Sequence, residues 1–168
     1  MNKVFDMIIK FFATGLFVSY IPWARGTFGT LIGVLIFIFL SSYPVVFYIL
    51  LAVLLIVSFP ITSYAEKEIF KKKDSEYIVI DEIVGYMIST VGFVFTFTLE
   101  GITVLVLTFV IFRLFDVFKP YPIVHIQSLE GGVGIVLDDI FAGVATNILV
   151  RILMSFEISK IFMPFINI

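Results

Sequence analysis

The stretch YIVIDEIVGYMIS, residues 77–89, sets two adjacent carboxylates, Asp81 and Glu82, inside an otherwise apolar run. The run continues to Phe97, and Ile78–Phe97 has the length and composition of a segment that crosses a bilayer. A carboxylate near hydrocarbon costs about 3 kcal/mol even on the lenient insertion scale. Such a cost is tolerated where a cation or a function offsets it. Adjacent acids on a helix point about 100° apart, so both reach an interior without meeting at one point. Gly85, four residues after Asp81, opens room on the same face. The bland alternative is an acid pair at a helix start, favoured by the macrodipole.

The rest of the chain has the same character. Its 168 residues are 61% hydrophobic and 14% charged, with 21 Phe. Soluble domains carry about one quarter charged residues, and a core of this size cannot hide so much apolar surface. The chain reads as an all-α integral membrane protein, one domain over residues 1–168, with neither an internal repeat nor a linker. Net charge is −2, which leaves no basic footprint for nucleic acid. Without Cys there is no disulfide, thiolate metal site or Cys nucleophile, and one His excludes paired-histidine chemistry within the chain.

Outward from Asp81, apolar run length and charge position predict the other elements. Lys3, Asp6 and Lys10 fall within about 60° of one helical face, the pattern of an N-terminal helix lying in the interface, with a tilted spanning helix as the alternative. Tyr20–Thr30 reads as a break, Leu31–Leu40 as a short span, and Val45–Phe59 as a second span ended by Pro60. Thr62–Asp74 is polar and lysine-rich. Glu100-Gly101 reads as a turn, Ile102–Phe118 as a span, and Pro120–Gly134 as a loop. Asp138-Asp139 opens a last apolar helix running to about Phe156.

Threading these five spans brings Arg25, Asp81, Glu82, Arg113, Asp116, Lys119, Asp138 and Asp139 to one side. Lys67, Lys71, Lys72 and Lys73 join them there, so the positive-inside rule makes that side the cytoplasm. Carboxylates gathered in this way repel one another unless a cation neutralises them. An all-oxygen ligand set points to Mg²⁺, Mn²⁺ or Ca²⁺ rather than zinc.

Arg113, Asp116 and Lys119 form R-x-x-D-x-x-K over an arc of about 120°. A snorkelling stripe of interfacial charges gives the same pattern. Arg113, however, lies well inside the apolar run, where an unpaired Arg is costly. Arg and Lys beside carboxylates suit an anionic substrate, above all a phosphate. Arg25-Gly26-Thr27-Phe28-Gly29-Thr30 leads into a helix, where backbone N–H groups can meet an anion, or where a plain helix-start turn sits. His125 reads as a spacer rather than a catalyst.

Four segments taken together resemble the phosphatidylglycerophosphatase A family: RGTFGT (25–30), IVIDEIVG (78–85), FRLFDVFKPYPI (112–123) and GGVGIVLDDIFAG (131–143). They occur in that family's order and spacing, and the similarity covers roughly residues 20–150. The resemblance implies a cytoplasmic-membrane enzyme that hydrolyses phosphatidylglycerophosphate to phosphatidylglycerol and inorganic phosphate with Mg²⁺. It maps the family's acidic motif to Asp81 and Glu82 and its double acid to Asp138 and Asp139. The expected roles follow: Asp81, Glu82, Asp138 and Asp139 as metal ligands, Asp81, Asp116 and Asp139 as catalytic groups, and Arg25, Thr27, Arg113 and Lys119 on the phosphate. Exposed apolar helices permit a homodimer. The competing class is a transporter or a cation- or proton-binding membrane protein, which would need polar groups near the midplane or on both faces.

Overall fold

The structure, a computed structural model, describes residues 3–121, 123–126, 129 and 131–156. Among these the ordered elements are helical, with no strand. Helix α1 spans Lys3–Ala13, α2 Arg25–Leu40, α3 Pro44–Tyr64, α4 Ile80–Ser89, α5 Leu99–Phe118, α6 Ile123–Ile126 and α7 Gly132–Ser155.

Among the described residues, three helical stretches are long and apolar enough to cross a membrane: α3 with its continuation to Phe70, α5, and α7. Along α5 the exposed residues Ile102, Val106, Val110, Leu114 and Val117 form one stripe at helical spacing. Val104, Thr108, Ile111 and Phe112 are buried on the other side. A chain that leaves such stripes uncovered is solvated by lipid there.

The structure moves several expected boundaries. Ile78–Phe97 is not one helix: α4 has 10 residues, about 15 Å of rise, and Thr90–Thr98 continues outside helical structure. Helix α2 begins at Arg25, so RGTFGT forms its first turns rather than a break, but at 16 residues it rises only about 24 Å. Pro60 does not end α3. It lies inside the helix on an exposed face, where its missing N–H leaves a carbonyl that the helix tolerates, and α3 then widens into a π-helical turn over Ala65–Phe70. Glu100 and Gly101 belong to the first turn of α5, capped by the Thr98 hydroxyl, which accepts from the Gly101 N–H at 3.2 Å. Helix α7 begins at Gly132, which puts Asp138 and Asp139 in its second turn.

Helix α4 sits at the centre, against α2, α3, α5 and α7. Its Tyr86 is fully buried among Val34, Phe37, Phe112 and Ala142, and its hydroxyl pairs with Thr108 at 3.1 Å. Helices α4 and α7 run parallel and in register. A methyl group at Gly85 would lie 2.7 Å from the Asp139 carbonyl oxygen, and one at Gly143 would strike the Gly85 carbonyl. Farther along, the Asn147 side chain donates to the Ser89 and Val91 carbonyls at 2.9 Å each. Arg151 also donates to the Val91 carbonyl, at 2.8 Å. These side chains satisfy the carbonyls that the early end of α4 leaves without helical partners.

Helix α2 is likewise parallel to α4. Gly29 meets Val79 and Gly33 meets Tyr86, each too closely for a side chain on the glycine. The N-terminal ends of α2, α4 and α7 therefore gather at one end of the bundle, together with the C-terminal end of α5.

The 11 residues of α1 rise about 16 Å, too short to cross a hydrocarbon core of about 30 Å. Asp6 on its polar face accepts from the Tyr64 hydroxyl at 2.8 Å, while Val4, Phe5, Met7, Ile8 and Phe12 are exposed. That is the two-faced pattern expected of an interfacial helix.

Candidate active site

Two in-register helices create the acidic centre. Asp81 and Gly85 stand four residues apart on α4, and Asp139 and Gly143 stand four apart on α7. Residues four apart share a helix face, so the glycines let the two backbones approach and the carboxylates one turn earlier meet. Oxygens of Asp81, Glu82 and Asp139 come within 4.8 Å of one another. Asp81 and Asp139 are buried, at 6% and 2% exposure.

One oxygen on each of these three carboxylates is buried and has no hydrogen-bond partner. Buried polar atoms are nearly always satisfied, and close carboxylates repel. The donor set, three carboxylates gathered within 4.8 Å and each bearing one orphaned oxygen, fits a hard divalent cation such as Mg²⁺. The position of Asp138 and Asp139 inside α7 also removes the helix-cap explanation for that pair, because no acid lies in the first turn.

The structure assembles three of the four expected ligands and directs the fourth elsewhere. Asp138 is 2% exposed. Its two oxygens are taken by the Lys119 ammonium and by the Asp139 backbone N–H at 3.0 Å. Lys119 follows the end of α5 in a left-handed conformation. Burial alone would lower its pKa, but the Asp138, Asp139 and Asp116 carboxylates outweigh that and hold it above its ordinary value. With its folded pKa raised, the Lys119 contribution is fully present below the unfolded value and is lost only as pH rises through the folded one. The ammonium therefore stays charged at neutral pH.

Arg113 and Asp116 form an ion pair one turn apart, both largely shielded from solvent. Arg113 also donates to the Thr30 hydroxyl at 3.4 Å, which links α5 to α2. Arg25 pairs with Glu76 and stacks on Tyr77, its guanidinium 4.3 Å from the ring centre.

A cleft of about 670 Å³ opens between the start of α2 and the end of α5, lined by Arg25, Gly26, Glu82, Arg113 and Asp116 among others. Two guanidinium groups thus face the same space as one edge of the carboxylate trio. Gly26 makes this approach feasible, because a methyl group there would collide with the ends of Glu82 and Arg113. Thr27 is half-buried and is not among the cleft residues. His125 packs edge-on against Tyr121, 5.3 Å between ring centres. Sequence reasoning passed over Thr30 and Glu76. Thr30 lies four residues past Gly26, on the same helix face, which was a usable signal once RGTFGT was taken as helix. Glu76 carried none.

A family model described as phosphatidylglycerophosphatase A matches residues 11–154. The chain belongs to the phosphatidylglycerophosphatase A family. The match runs from α1 to the end of α7 and so takes in every residue of the acidic centre and the cleft. This phosphatidylglycerophosphatase A family member is also 29% identical, over 143 residues, to a Bacteroides thetaiotaomicron protein named "Putative phosphatidylinositol-3-phosphatase". That alignment covers 83% of this chain and 89% of the other. No solved structure matches the chain.

Proposed function

We propose that this protein is a Mg²⁺-dependent lipid phosphatase that removes the terminal phosphate of phosphatidylglycerophosphate, leaving phosphatidylglycerol and inorganic phosphate. Family membership and the likeness to a protein named for a lipid 3-phosphatase support the reaction class. The observation that carries the reading is the carboxylate trio, with Asp81 and Asp139 buried and Glu82 partly so, each bearing one orphaned oxygen, beside a cleft holding two arginines.

Asp81, Glu82 and Asp139 would hold the Mg²⁺ ion, which when bound supplies Lewis-acid polarisation of a phosphoryl oxygen. Arg113 and Arg25 take the phosphate oxygens and stabilise the charge that builds on them during displacement. Asp116, held by Arg113 at the cleft wall, orients the attacking water and accepts its proton. Lys119 pairs with Asp138 and fixes it, and the Asp138 carboxylate in turn anchors the Asp139 backbone.

We place the charged end of the bundle on the cytoplasmic side of the inner membrane, following the Lys67 and Lys71–Lys73 cluster. Five passes follow, with α2 as a short pass and α4 plus Thr90–Thr98 as another.

The test is inorganic phosphate release by protein purified in detergent, with phosphatidylglycerophosphate as substrate and phosphatidylinositol 3-phosphate as comparator, each with Mg²⁺ and with EDTA. Metal-dependent release from the first that exceeds the second is expected. Release from neither, by folded protein, would overturn the assignment.

A further inference from the structure

The cleft has two kinds of wall. Its floor is charged, with Arg25, Glu82, Arg113 and Asp116, while its rim includes Pro22, Trp23, Val117 and the exposed Glu76 that pairs with Arg25. Trp23 is 87% exposed and Val117 63% exposed. Val117 lies seven residues beyond Val110, in line with the exposed apolar stripe of α5 that lipid must cover. The cleft mouth is therefore continuous with the lipid-facing surface.

Trp23 is held in the opposite wall by an unusual backbone. It has φ 81° and the following Ala24 has φ 49°, a left-handed pair in residues that rarely adopt it. Strain of this kind persists only where the surroundings enforce it. Here it presents an indole ring, the side chain most at home at a membrane interface, at the entrance to the charged floor.

We propose that the cleft is a lateral portal, in which a phospholipid enters from the bilayer between Trp23 and Val117. Its phosphate reaches Arg113 and Arg25 while its acyl chains stay in the surrounding lipid just outside the cleft mouth. This inference rests on the lipid phosphatase reading and adds the route and the residues that select for acyl chains. A head group is then drawn only about the depth of the cleft, and the chains never leave hydrocarbon, which avoids moving their CH₂ groups into water.

The protein has no cysteine, so single thiols can be placed cleanly. Val117→Cys and, as a control two turns back on the same stripe, Val110→Cys are treated with a bulky maleimide in mixed micelles. Hydrolysis of dipalmitoyl phosphatidylglycerophosphate is compared before and after modification of the same folded sample. The expected result is a loss of about tenfold or more on modification of Val117→Cys, the scale of one badly obstructed apolar contact, with little change for modified Val110→Cys. Equal rates before and after modification of Val117→Cys would overturn the portal, as would equal losses at both positions, which would mean a general disturbance of the lipid-facing surface. Absence of hydrolysis by the unmodified wild-type protein would instead remove the phosphatase reading, and the portal with it.

Discussion

Gly85 and Gly143 face one another across the parallel helices α4 and α7, so closely that a methyl group on either would strike the partner helix backbone. One turn before each glycine stands a carboxylate, Asp81 or Asp139. The contact of the two small residues and the meeting of the two acids are one geometric fact, because both pairs share a register.

Gly143→Ala should therefore separate the acids as well as loosen the core. The expected destabilisation is about 1–3 kcal/mol, typical of overpacking against backbone that cannot move. Phosphate release should fall far more than that loss explains, and thermal unfolding in detergent with parallel assays would show it. A variant with unchanged activity would mean the helix spacing does not set the site.

Gly26→Ala should behave differently. The added methyl meets the ends of the Glu82 and Arg113 side chains rather than backbone, and such ends can swing aside. Stability should change by less than about 1 kcal/mol, while KM rises because Arg113 is displaced from the cleft. An unaltered KM would argue against Arg113 as a phosphate ligand.

Asp139→Asn removes a buried charge from a crowded trio. Without metal the variant should be at least as stable as wild type, since repulsion with Asp81 and Glu82 is relieved. Mg²⁺ should raise the Tm of the wild-type protein and not that of the variant. Phosphate release should drop by about a hundredfold or more, the scale of losing one preorganised electrostatic group. Equal Mg²⁺ stabilisation of both proteins would place the ion elsewhere.

Lys119→Met leaves the Asp138 carboxylate buried without its cation. Breaking a buried pair in this way costs about 3–5 kcal/mol. The double variant Lys119→Met/Asp138→Leu should regain much of that stability while remaining poorly active. The unfolding midpoints of the single and double variants decide the point.

Asn147→Ala strips the end of α4 of two hydrogen bonds at once. A loss of about 1–3 kcal/mol is expected, chiefly from the Ser89 carbonyl, because Val91 keeps the Arg151 donor. Hydrogen exchange in Thr90–Thr98 should accelerate before exchange in α7 does.

Much of the site could be read from the chain. The cost of acids in an apolar run marks Asp81 and Glu82, the double acid after the glycines marks Asp138 and Asp139, and the i+3 spacing marks Arg113 and Asp116 as one face of α5 with Lys119 just past its end. Alternating span direction brings them to one end. Boundaries were less legible. Apart from Asp81 and Glu82, Ile78–Phe97 carries no charge, and hydropathy does not report that Asn147 and Arg151, far along the chain, cap an early end to α4. The start of α7 was obscured by its glycines, which mark a turn in isolation, whereas here Gly132 fits against the Ser63 backbone.

The sequence by itself determined that lipid would be the solvent, because its composition offers no other way to cover the apolar surface. It also singled out the residues from which the candidate site is built, because charge in hydrocarbon is too costly to be incidental. Only the tertiary structure decided how those residues are paired. Asp138 goes to Lys119 and Asp116 to Arg113, and the orphaned oxygens are left on Asp81, Glu82 and Asp139. That division depends on where α4, α5 and α7 touch, a matter of ångströms set by glycines whose role is visible only when the opposing backbone is in place.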